Sequence, residues 1–136
     1  MANKKIEEIE GIGPAMGEKL RGAGIKDTDT LLELCCNASG RKQVSEKSGI
    51  PETKLLEWAN MADLFRIKGV GPEYAELLEA SGVDTVKELA QRNAENLAAK
   101  MAEVNGQKKL TRTVPSAKVV GDWVSQAKGL PGKINH

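Results

Sequence analysis

Two short segments carry the residues best placed to do chemistry: Gly11-Ile12-Gly13-Pro14 and Gly69-Val70-Gly71-Pro72. Two glycines flanking one inward-pointing apolar residue make a tight turn. The proline that follows suits the first turn of a helix, where its missing N–H costs nothing. The N–H groups of such a turn, and of the helix's first turn, point outward without internal partners. A helix N-terminus preceded by glycine is therefore a seat for an anion, and the phosphates of a nucleic-acid backbone are its natural occupants. Behind the first turn come Lys19, Arg21 and Lys26, offset by Glu18 and Asp27. Behind the second come Glu73, Glu76 and Glu79, with Arg66 and Lys68 before it. The candidate contacts are Gly11, Ile12, Gly13, Lys19, Arg21 and Lys26, with a weaker set at Arg66, Lys68, Gly69, Val70 and Gly71. Three carboxylates on the helix behind the second turn repel phosphate, so that turn is expected to be structural or to contact protein.

Other chemistry finds few residues to work with. The one His stands at position 136, and Cys35-Cys36 has no second pair at zinc-finger spacing, so we expect no metal site. Without a His in the body of the chain, Ser/His or Cys/His nucleophilic catalysis has no base, and we expect no catalytic residues and no enzyme. Gly11-x-Gly13 with Gly17 resembles a dinucleotide fingerprint only superficially: the third glycine falls one place late, no strand precedes it, and Ala75 stands there in the second segment. Adjacent cysteines rarely bridge, which points to a reducing compartment; with no signal-peptide core and no long apolar run, a cytoplasmic location is expected.

The elements that must position the turns come as a repeat. Shifted by 58 places, Ile9, Gly11, Gly13, Pro14, Glu18, Leu20, Gly24 and Leu31 meet identical residues at Ile67, Gly69, Gly71, Pro72, Glu76, Leu78, Gly82 and Leu89. At slightly larger shifts Ile50-Pro51 pairs with Val114-Pro115 and Trp58 with Trp123. Each copy opens a helix at Pro14 or Pro72 and ends it at Gly24 or Gly82. Thr28 or Asp84 is the expected cap of the next helix. Ser39 caps a helix through Ser48 that Gly49 stops, and Asn93 caps one that Gly106 ends. Pro51 and Pro115 open the last helix of each copy, and Ala62–Lys68 is expected to run as helix into the second turn. Trp58 and Trp123 are read as core residues, as is Tyr74 in place of Met16. The domains are drawn at 1–63 and 64–128, with a loose tail at 129–136.

With one Phe, one Tyr and two Trp, the core must come from aliphatic side chains, which suits packed helices. Charge is balanced, 20 basic against 19 acidic residues, so long-range steering toward a polyanion is weak.

The two turns look like helix-hairpin-helix motifs, with Lys19-Leu20 behind the first and Ala75 and Leu77-Leu78 behind the second. Such motifs occur in repair glycosylases, ligases, polymerases and Holliday-junction proteins, where turn amides bind DNA phosphates without reading sequence, and in some members turn carbonyls hold a monovalent cation. The whole chain more closely resembles the family called domain of unknown function 4332, on the stretch from Asp63 to Ala75, on Gly82-Val83-Asp84-Thr85-Val86-Lys87-Glu88-Leu89 and on Asp122-Trp123. The resemblance implies an all-α fold of two tandem helix-hairpin-helix-containing repeats packed into one compact helical domain with eight to ten short helices. It further implies a non-enzymatic module that binds double-stranded DNA weakly and without sequence preference, needing no cofactor beyond a monovalent cation at a turn. Contact through one turn neutralises few phosphates and sets affinity in the ~10⁻⁴–10⁻⁶ M range of nonspecific binding. A protein-interaction adaptor on the same scaffold is the alternative, with no membrane partner in either case.

Overall fold

A computed structural model describes residues 3–135, which leaves His136 outside the described residues. Among these the regular structure is helical: a 3-10 turn Ile6–Glu8, then α1 Pro14–Gly22, α2 Thr28–Cys35, α3 Ala38–Ser48, α4 Glu52–Leu64, α5 Pro72–Ala80, α6 Val86–Leu89, α7 Ala94–Lys108 and α8 Ala117–Lys128. No helix of the described residues is long and apolar enough to cross a membrane. The chain divides into two compact units. Among the described residues one holds 3–63 together with 133–135, and the other is Leu64–Gly132.

In the first unit α1 and α2 pack on α3, burying Ile6, Ile9, Leu20, Ile25, Leu31 and Leu55 almost completely. The chain before the 3-10 turn is tied down by Thr28, whose N–H donates to the Lys4 carbonyl at 2.9 Å while its Oγ1 accepts from the Lys4 N–H at 2.9 Å. The N-cap of α2 is Asp27, one residue before the expected Thr28. Its carboxylate accepts the Thr30 N–H at 2.8 Å, and the Thr30 hydroxyl accepts the Asp27 N–H at 3.2 Å. Asn37, not Ser39, caps α3, which ends at left-handed Gly49 (φ 77°) as expected.

In the second unit α8 packs on α7 and α6, and α5 on α7. The helix α4 stops at Leu64, so the chain reaches the second glycine turn through tight turns rather than helix. Thr85 caps α6 where Asp84 was expected, and Asn93 caps α7 as expected. Gly106 does not end α7. The helix continues to Lys108 and stops at Lys109, which takes left-handed angles (φ 52°) while the Asn105 amide exchanges two hydrogen bonds with the Thr111 backbone. Trp58 and Trp123 are both buried.

Candidate nucleic-acid interface

The two glycine turns follow the same backbone course. Gly11 and Gly69 have φ of 94° and 98°, and Gly24 and Gly82 both 94°. Gly13 and Gly71 share extended angles (φ −89°, ψ −174° and φ −97°, ψ −171°). Ile12 N–H donates to Ile9 O and Val70 N–H to Ile67 O, both at 3.1 Å. At the far ends of α1 and α5, Ile25 N–H reaches back to Leu20 O and Val83 N–H to Leu78 O, both at 2.9 Å, a left-handed glycine stop in each case.

Gly11, Gly13, Pro14 and Ala15 are exposed, and Ile12 is 4 % exposed, its side chain buried beneath the turn. Any contact from Ile12 must therefore come from its backbone, and the same holds for Val70 (2 % exposed). Among the described residues the N–H groups of Gly11, Gly13, Ala15 and Met16 find no internal acceptor, nor does that of Glu10. In the second turn the residue matching Glu10 is Lys68, and its backbone is taken: Gln126 Oε1 accepts the Lys68 N–H at 2.8 Å and Gln126 Nε2 donates to the Lys68 carbonyl at 3.1 Å.

The flanking charges also differ. The first turn of α1 carries no acid, whereas that of α5 carries exposed Glu73. Lys19 and Lys26 are exposed. Arg21, also expected to add charge, is paired with Glu7, whose carboxyl is held below its ordinary pKa chiefly by the Arg21 hydrogen bond. Gly17 leaves room for this pair, since a Cβ there would lie 2.5 Å from the Glu7 carboxylate. In the second unit Phe65, Ala75 and Glu79 replace Glu7, Gly17 and Arg21. Arg66 is likewise engaged, donating to the Pro131 carbonyl at 2.8 Å. A hollow of about 380 Å³ opens at the second turn, lined by Gly69, Gly71, Pro72, Glu73 and Tyr74.

A family model described as domain of unknown function (DUF4332) matches residues 10–130, from the first glycine turn to the end of α8. The chain belongs to that family. No curated protein and no solved structure matches it. The DUF4332 match spans both turns and so brings both under one description, without assigning a ligand to either.

Sequence reading named the turn residues but missed Glu7, Gln126 and the two tryptophans as partners of the turns. Glu7 and Gln126 reach across chain separations of 14 and 58 residues, for which no local pattern exists. Among the described residues no group of three His, Cys, Asp or Glu is placed to hold a metal.

Proposed function

We propose that the two glycine turns are helix-hairpin-helix motifs, and that the chain is a non-enzymatic module binding the phosphate backbone of double-stranded DNA without sequence preference, through the first turn. The observation that carries this reading is a contrast in capping. Helices α2, α3, α6, α7 and α8 each have a side chain at the N-cap accepting a first-turn N–H. Helices α1 and α5, behind the turns, have glycine there and no side-chain cap. Conformation does not demand these glycines. Gly13 and Gly71 have angles open to any residue, and a Cβ on either would meet nothing within 4 Å. Leaving out the cap and the Cβ keeps first-turn amides bare and lets a ligand approach the backbone. The extra open amide at Glu10, the acid-free first turn of α1, and Lys19 and Lys26 favour the first turn over the second.

Fluorescence anisotropy with a labelled duplex tests the reading. Affinity at low salt falls in the ~10⁻⁴–10⁻⁶ M range and weakens as salt rises, and Lys19→Glu with Lys26→Glu abolishes it. Absence of binding at low salt, or binding untouched by that double variant, overturns the proposal.

A second reading rests on the hollow beside Tyr74. The second turn, with Gln126 on its backbone and Glu73 at its rim, suits a protein contact better than a phosphate, and such an adaptor surface would survive loss of DNA binding.

A further inference from the structure

The C-terminal end of α2 has an unusual closure. After Cys35 the chain stays right-handed at Cys36 (φ −70°, ψ −19°) and passes to Asn37, the N-cap of α3. No left-handed glycine turns back to supply an N–H to the last carbonyls of α2, as Gly24, Gly49 and Gly82 do elsewhere. The Cys36 thiol donates to the Glu33 carbonyl at 3.5 Å, and the remaining donors come from farther away. Arg41, on α3 and 4 % exposed, donates from Nη1 to the Cys35 carbonyl at 3.0 Å. The Asn135 N–H donates to the Cys36 carbonyl at 2.7 Å, and Arg41 Nη2 donates to the Asn135 carbonyl at 2.8 Å. Asn135 is thus held by both its backbone groups. The second unit has no need of such a closure, since α6 stops after four residues and its Ala90 N–H returns to the helix's own carbonyls.

We propose that residues 133–135 are a releasable strap that closes the end of α2, with Arg41 as its latch, and that release uncovers Cys35. Lys133 and Asn135 are exposed. Gly129, Pro131 and Gly132 precede the strap, outside any helix. A segment held by a few hydrogen bonds at its rim opens more readily than the helices around it. Cys35 is fully buried as the last residue of α2, one residue from the carbonyl that Asn135 holds, and burial pushes its thiol up to about 11. Release of the strap takes the Asn135 N–H from the Cys36 carbonyl and the Asn135 carbonyl from Arg41, which loosens the guanidinium that closes the Cys35 carbonyl, so the last turn of α2 frays and the thiol meets solvent.

The test uses the full chain with Cys36→Ser, so that one thiol is counted, and a maleimide probe. Asn135→Pro removes the backbone donor, whereas Asn135→Ala retains it. Asn135→Pro raises the rate of Cys35 labelling at least tenfold, Arg41→Lys raises it by a smaller factor, and Asn135→Ala leaves it unchanged. Amide hydrogen exchange adds a measurement without substitution: the Asn135 amide exchanges faster than the core amides of α3. Equal labelling of the Pro and Ala variants, labelling that rises only in step with global unfolding in urea, or an Asn135 amide exchanging at the global rate would each overturn the strap.

Discussion

Trp123 sets its indole nitrogen against the turn glycine Gly69, so closely that a Cβ on that glycine would lie 3.1 Å from Nε1. Trp58 does the same to Gly11, at 3.6 Å. The last helix of each unit thus backs a turn with a buried tryptophan, and Tyr74 packs on Trp123 with ring centroids 5.2 Å apart. Both glycines also have positive φ, where a side chain is strained by about 1–2 kcal/mol. Gly11→Ala and Gly69→Ala are each expected to destabilise their unit by about that amount, Gly69→Ala more because its tryptophan must also give way. Urea unfolding followed by tryptophan fluorescence, with Trp123→Phe to report the first unit and Trp58→Phe the second, measures both. Equal and negligible losses would mean the indoles do not brace the turns.

The open cap at Gly13 yields a prediction in which stability and binding move oppositely. A serine there can accept the Ala15 or Met16 N–H, as Ser116 accepts the Val119 N–H at 3.2 Å in α8. Gly13→Ser should raise stability by roughly a few tenths of a kcal/mol. It should weaken duplex binding by about tenfold or more, the equivalent of one charge-assisted hydrogen bond. Gly71→Ser should show the stability gain alone. Binding that follows stability upward would contradict the phosphate seat.

How much of this was legible follows the range of the interactions. The glycines and prolines announced both turns, because fixed or positive φ is a local property that residue type reveals. Caps were harder. At 27–28, 84–85 and 37–39 several polar residues adjoin, and the choice falls to the one whose backbone is extended just before the helix: Asp27 (φ −154°), Thr85 (φ −134°) and Asn37 (φ −128°). For Asp27, Thr30 three residues on was a usable signal, since its hydroxyl completes the capping box. The strap and the Gln126 contact had no local signature, because their partners lie 99 and 58 residues away.

The Asp27 capping box predicts an acid dependence. The carboxyl is held below its usual value by the Thr30 hydroxyl, then by the Thr30 N–H and the Asn3 amide. A folded-state pKa lower than the unfolded one means the stabilisation is complete above the ordinary value of 3.8 and is lost as pH falls through the lower folded value. Asp27→Asn keeps an acceptor for the Thr30 N–H, so it should retain most of the stability at neutral pH while flattening the decline in acid. Asp27→Ala should cost about 1 kcal/mol at neutral pH. Thermal melts of the three proteins between pH 2.5 and 7 compare them; an Asn variant with the parent's acid slope would assign that slope to other carboxylates.

The pair Glu7–Arg21 bears most directly on how strongly the first turn attracts DNA. It sits against α1, where Gly17 leaves it room, and it ties up one of the cations that follow the first glycine turn. Glu7→Gln removes the negative charge while keeping the side chain's shape, which leaves the Arg21 charge uncompensated. Because Arg21 is exposed, its pairing with Glu7 contributes little to stability, so the substitution should leave the urea midpoint nearly unchanged. Duplex affinity at low salt should rise, and the dependence of log K on log salt should steepen by about 0.9 as one more phosphate is neutralised. Arg21→Ala alone should lower affinity, because it leaves the Glu7 carboxylate unmatched, and in the Glu7→Gln background it should cancel the gain. The double variant should therefore return to the parent's affinity and salt slope. If neither single substitution changes affinity, Arg21 lies outside the DNA path and the interface is confined to the turn amides, Lys19 and Lys26.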